Sequence, residues 1–395
     1  MFIYIICFLI GSVLGLLTNE FVDRWGCSQR YRSTLPKKLF IAFICGIGAA
    51  WLYWWEVDME MLLRYGLSPT AINTSSERIG IDLFGFLLGL YIVHLILFTF
   101  LLAATLTDFY EMMIPDSITI TGTAVALYIA LGSLGLSLPA TELRWTVDSI
   151  FPIIANRPVA MHVWSPNPAE TCSQITLLII ITLLWWFGCF AILDRVWYTK
   201  LPFRKANAIF WRYLYRSPRT KHIVSFALWV PLFLAVIFLL PRRGIGNDLA
   251  AAGGITLLSA LVGMAVGMIL VWSIRLVAQW VLGVEAMGFG DVTLMGMIGA
   301  FLGWQAVLLV FFMAPFFGLV YGIINLLLGR GRAVPYGPFL CLAAVVVVVA
   351  WSPIWSVTTE YFAFGIEIIG IVLFGLLFLF AGLLYIVHKM MKKSE

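Results

Sequence analysis

Two aspartates in this sequence stand where a carboxylate pair could be built. Asp291 lies in "EAMGFGDVTLMGMIGAF", Glu285 to Phe301, between a glycine-rich turn and a long apolar run. Asp108 lies in "TLTDFYEMMIPDSITITG", Thr105 to Gly122, where one apolar run ends and Pro115 and Asp116 open the next. Two carboxyl groups sharing a site cannot both ionise easily, so one holds a proton while the other is charged near neutral pH. The charged one takes a proton from water, which attacks a peptide carbonyl. The protonated one supports the oxyanion and then the leaving amine. Gly288 and Gly290 permit unusual backbone angles and close approach of a substrate strand. Either aspartate alone also reads as a helix cap.

The elements that would hold these groups are membrane helices. Of the 395 residues 62% are hydrophobic and only 11% charged, against about 25% charged in an ordinary soluble domain. A span needs roughly 20 apolar residues. Eleven runs qualify: 2–18, 39–55, 84–106, 118–136, 174–193, 223–240, 254–282, 292–310, 312–328, 338–354 and 362–387. The division between Val292 and Leu328 fits equally one short helix plus one full span. The first run lacks a basic start and a small-residue cleavage site, so it reads as a span rather than a signal peptide.

The connections fix an expected orientation. Eighteen of the 25 Lys and Arg residues fall in one set of alternate connections and six in the other, with Arg275 inside a span. Basic connections stay in the cytoplasm. The expectation is an all-α, polytopic bundle of about 11 spans, amino terminus outside and carboxyl terminus cytoplasmic. Both aspartates then fall at cytoplasmic span ends, on one face and at one depth. The basic, aromatic stretch 194–222 reads as a topology-fixing, headgroup-binding segment, not as a nucleic-acid site.

Other ionisable groups inside spans default to functional roles. Arg275 lies 16 residues before Asp291, about 24 Å along a helix, and reads as structural. Glu367 sits near a span end, and His94 reads as a satisfied buried polar group. No CxxC pair occurs among the six cysteines, so a thiolate zinc site is not expected.

The stretch Gly283–Ala306 resembles the second-aspartate region of type IV prepilin peptidases, GxGD-type intramembrane aspartic proteases. Glu285, Met287, Gly288, Gly290 and Asp291 match that motif, with Ala286 where Gly is usual. Asp108, Pro115 and Asp116 resemble the family's first motif. "RAVPYGPFL", Arg332 to Leu340, resembles its Pro-aromatic-Gly-Pro-Phe stretch, with Pro335 and Gly337. The resemblance covers residues 84–136 and 254–354. It implies that Asp108 and Asp291 are catalytic, that no cofactor is needed, and that the partner is a pilin-like or pseudopilin precursor with a basic leader. The leader would be cut at the cytoplasmic face of the bacterial inner membrane. Glu111, Asp116 and Glu285 could attract it, or serve as solvated loop residues.

The sequence departs from that family in two respects. Only Cys27 stands where many members carry a cysteine tetrad, so zinc and N-methylation of the new amino terminus are not expected. Asp108 and Asp291 lie 183 residues apart, with an insertion between them. The expected organisation is 1–83 amino-terminal spans, 84–136 first-aspartate helices, 137–250 insertion with two spans and a basic loop, 251–354 GxGD half, and 355–395 terminal span and tail. Rival readings are a non-catalytic membrane assembly or binding relative and a transporter using both aspartates as proton sites. The sequence does not give the oligomeric state.

Overall fold

A computed structural model describes residues 2–25, 34–60, 83–132, 174–192, 205, 218–239, 245–282, 287–328, 335–362 and 365–394. Its regular elements are α1 (Phe2–Trp25), α2 (Leu35–Tyr53), a π-helical turn (Trp54–Asp58), α3 (Leu83–Glu111), α4 (Asp116–Gly132), α5 (Gln174–Ile192), α6 (Pro218–Leu239), α7 (Ile245–Leu282), α8 (Phe289–Leu302), α9 (Trp304–Leu327), α10 (Gly337–Val349), α11 (Trp351–Phe362) and α12 (Gly365–Ser394). No strand occurs among the described residues. Apolar side chains on all faces suit helices whose surroundings are lipid or other helices.

Six of the described helices are long and apolar enough to cross a membrane, or seven if the bent pair α10–α11 is one span. Four shorter apolar helices lie at Asp116–Leu131, Ile179–Cys189, Ile223–Leu232 and Phe289–Leu302. One boundary is left open by the sequence and another differs from it. The chain divides at Gly303, giving one short helix plus one full span rather than a break near residue 311, because Gly303 takes φ 85° and closes α8 with its N–H on the Gly299 carbonyl (2.8 Å). Only glycine adopts that angle without strain. The run expected to end at 354 bends by 86° after Val349, and α11 turns Trp351 and Trp355 into a stack with Phe362.

The core is built around α8. Every residue from Asp291 to Leu302 is buried, and α8 packs against α3, α4, α7, α9 and α10. At 14 residues it is about 21 Å long, shorter than a bilayer core of about 30 Å. It is therefore an inner helix whose start is set by its neighbours. α7 runs antiparallel beside it. A Cβ on Gly263 would strike the Gly299 carbonyl, and one on Gly267 would strike that of Met295. Glycines four apart allow this backbone approach, which lets helices associate where no hydrophobic force drives them together. Across the other face, Thr119 of α4 donates to Thr293 of α8 at 3.0 Å, and Gly122 leaves room for Met297.

The amino-terminal helices pair with each other, with Gly11 and Gly15 of α1 closed onto Ala49, Ala42 and Cys45 of α2. At one end Lys38 of α2 meets Asp23 (2.6 Å) and Glu20 (3.1 Å) of α1. Toward the other end, His94 of α3 has its partner in Glu56, 2.7 Å away, and both are buried. Glu56 belongs to the stretch expected to start a polar outer loop, yet the π-helical turn carries it inward. Cys7, Cys45, Cys189 and Cys341 are free thiols; Cys27, Cys172 and, of the basic stretch 194–222, residues 194–204 and 206–217 lie outside the described residues.

Candidate active site

Asp108 sits in the last turn of α3, where a helix's own dipole disfavours an anion. Its support comes from elsewhere. Oδ2 accepts the backbone N–H of Gly337 at 3.0 Å, and Gly337 is the first residue of α10. The carboxylate of Asp108 is thus held at another helix's amino terminus, where free N–H groups and the dipole favour negative charge. A Cβ at Gly337 would stand 2.5 Å from that same Oδ2. Only glycine lets the donor come this close.

Asp291 lies in the first turn of α8, three residues after Gly288, the N-cap. It accepts a backbone hydrogen bond from Gly288, the return half of a capping box. The capping role is therefore real, but it does not describe the surroundings. Asp291 is only 8% exposed and Asp108 only 5%. The charges of Asp108 and Arg275 both act on Asp291, in opposite directions. The two aspartates are close enough that the charge of one acts on the other, and both act on Cys341 of α10. Burial and then the Asp291 charge push the Tyr336 phenol up to about 12, so it remains a proton donor throughout the neutral range.

Ile114 joins the three motifs. α3 ends at Glu111, and Met112 follows at φ 53° with its N–H on the Asp108 carbonyl (2.8 Å). That left-handed closure turns Ile114 inward, where it is 8% exposed. A Cβ on Gly290 would meet Ile114 Cβ at 2.9 Å, and one on Gly337 would meet Ile114 Cδ1 at 2.8 Å. The turn after the first aspartate is thus wedged between the glycine before the second and the glycine that binds the first.

The remaining residues singled out in the sequence surround this wedge at varied exposure. Pro115 and Asp116 begin α4 and are half-buried, and Glu111 ends α3. Gly288 is exposed, Pro335 half-buried and Gly337 buried, while Glu285 lies outside the described residues. Four neighbours went unrecognised in the sequence: Ile114, Tyr336, Cys341 and Arg275. The first three lie within or beside motifs already noted, and only their side-chain direction was hidden. Arg275 was read as too distant along a helix. Its guanidinium instead lies over the Phe289 ring, 5.8 Å from the centroid, because α7 and α8 are antiparallel. Among the described residues no cluster of three or more His, Cys, Asp or Glu side chains could hold a metal ion.

The type IV leader peptidase family model matches residues 220–323, a stretch spanning α7, α8 and most of α6 and α9 and including Asp291. Over residues 220–323 the chain is similar to the type IV leader peptidase family. Similar proteins include the prepilin leader peptidase/N-methyltransferase of Aeromonas salmonicida, 34% identical over 94 residues, which are 23% of this chain and 32% of the relative. That of Stutzerimonas stutzeri is 34% identical and that of Pseudomonas aeruginosa 33%, each over 109 residues, 27% of this chain and 37% of the relative. The matched stretch thus spans about a third of the length of these relatives. No solved structure matches the chain. Asp108 and Gly337 lie outside residues 220–323, so their place beside Asp291 is a finding of the structure alone.

Proposed function

We propose that this protein is a membrane-embedded aspartic endopeptidase that removes basic leaders from pilin-like or pseudopilin precursors at the cytoplasmic membrane face. The observation that carries this reading is that Asp108 and Asp291 are both buried and close enough for their charges to interact, the Asp108 carboxylate bonded at the amino terminus of α10 and Asp291 in the first turn of α8. Asp291 is the member that burial favours as the acid. Asp108, bonded to the Gly337 N–H, is the member suited to take a proton from water. The hydroxide so formed attacks the scissile carbonyl while the Asp291 proton supports the oxyanion. The proton taken up by Asp108 then passes to the departing amine, and the pair returns to its singly ionised state. Glu111, Asp116 and Glu285 are acidic residues next to the dyad in space or sequence and suit a basic leader; a leader of that kind stays among headgroups while its apolar segment enters the bilayer.

The wider setting of the proposal is eleven crossings, formed by the six long helices, the bent pair and the four shorter apolar helices. The amino terminus is outside and the carboxyl terminus inside. Residues 84–136 and 251–354 supply the dyad, residues 1–83 and 355–395 flank it, and the insertion 137–250 contributes α5 and α6, which lie side by side. The name of these relatives includes N-methyltransferase; for this chain leader hydrolysis alone is proposed, since Cys27 stands by itself where a cysteine tetrad is usual. A proton-coupled transporter is less well supported, because both aspartates lie at helix ends and are braced by fixed backbone.

Co-expression with a prepilin-type precursor tests the reading. Asp108→Asn and Asp291→Asn each reduce leader removal by roughly a hundredfold or more, the scale of a lost acid–base group, while both variants still insert. Normal processing by either variant rejects the dyad.

A further inference from the structure

Arg275 is the sole Lys or Arg in α7. A cation in an apolar span is costly and is kept where it meets a partner. The antiparallel register brings Gly263 to Gly299, Gly267 to Met295 and Arg275 to Phe289. Phe289 is the first residue of α8, two before Asp291. A guanidinium over an aromatic face is attracted to it most strongly when water is excluded.

We propose that Arg275 is a positioning residue of the dyad: seated on Phe289, it fixes the first turn of α8 and provides the positive charge beside which Asp291 works. This rests on the peptidase reading above. Among the described residues, the charged and titratable side chains at this end of the elements around α8 are Asp108, Tyr110 and Glu111 of α3, Asp116 of α4, Arg275 of α7, Tyr321 of α9, and Tyr336 and Cys341 at and within α10. The charges of Asp108 and Arg275 both act on Asp291, in opposite directions. Removing the cation makes each proton of the pair harder to lose. Both limbs of a bell-shaped rate profile then move to higher pH.

The experiment uses the full chain in lipid vesicles with a precursor bearing a basic leader. The pH profile of kcat/KM is compared for the wild type, Arg275→Gln, Arg275→Lys and Phe289→Leu. The Gln variant shifts both limbs to higher pH, with a roughly threefold to tenfold loss on the acid limb that shrinks as pH rises. The Lys variant keeps its limbs near those of the wild type. In parallel, the infrared carboxylic-acid band that disappears in Asp291→Asn titrates at higher pH in Arg275→Gln. A Gln variant whose rate falls equally at every pH, with limbs and band unmoved, overturns the inference and leaves the peptidase reading intact. If the Gln variant does not insert, Phe289→Leu carries the test: it retains the charge without its seat and gives a smaller shift in the same direction, and unmoved limbs again overturn it. A wild type that leaves the precursor uncut removes the peptidase reading itself.

Discussion

Asp291 pairs a stability cost with a proposed chemical use. Burying a carboxylate costs free energy when it is charged and much less when it is neutral. Asp291→Asn removes the buried charge. It is expected to raise the thermal midpoint at pH 8, by an amount equivalent to a few kcal/mol at most, and to leave it little changed near pH 4. Paired melting curves of the two proteins in one detergent check this; an Asn variant less stable at pH 8 than the wild type contradicts it. The sequence made both aspartates legible, because each stands at a sharp boundary between polar turn and apolar run. It did not disclose that Asp108 would be held by Gly337. A backbone donor has no residue type to betray it, and the partners are 229 positions apart.

Helices bring those residues within reach, and glycine decides how closely the helices approach. Gly290, Gly337, Gly263, Gly267 and Gly299 each lie where a Cβ would meet backbone or a fixed side chain, whereas Gly322 and Gly370 have nothing within 4 Å of theirs. Overfilling a packed contact costs about 1–3 kcal/mol. Gly267→Val is thus expected to lower the thermal midpoint and processing together, since it moves α8 and Asp291 with it. Gly290→Ala should impair processing more than stability, because it pushes Ile114 out of the wedge beside the dyad. Gly322→Val serves as the control with no clash. Loss of processing in that control to the same degree as in Gly267→Val counts against the packing explanation. At this scale hydropathy located α3, α7 and α12 well. It left the α8–α9 division open between two equal spans and one short helix plus one full span, since one glycine at positive φ leaves no mark on a windowed average. It missed α11 because Trp and Ile extend the apolar run past the bend. It gave no sign that Arg275 lies against Phe289, because distance along a helix says nothing about a neighbour that folds back alongside.

For the whole molecule, the face on which the dyad opens matters more than the number of crossings. A basic leader is retained in the cytoplasm by the same bias that retains the chain's own Lys and Arg, so the proposed chemistry works only from that side. On the proposed topology the dyad end of α3, the Lys38 end of α2 and the carboxyl end of α12 lie on it, and Glu60, beyond the π-helical turn at the opposite end of α2, lies on the other. Single cysteines introduced into a cysteine-free background at Glu60, Met113 and Met390, each exposed in the native chain, discriminate directly. A membrane-impermeant thiol reagent applied to intact spheroplasts should modify Glu60→Cys and spare Met113→Cys and Met390→Cys, and permeabilisation should make the latter two reactive. Modification of Met113→Cys from outside sets the aspartates on the face that no uncleaved leader visits. The residue chemistry could then be intact and the proposed substrate still wrong, which is why sidedness and the Asp108→Asn and Asp291→Asn assays have to agree.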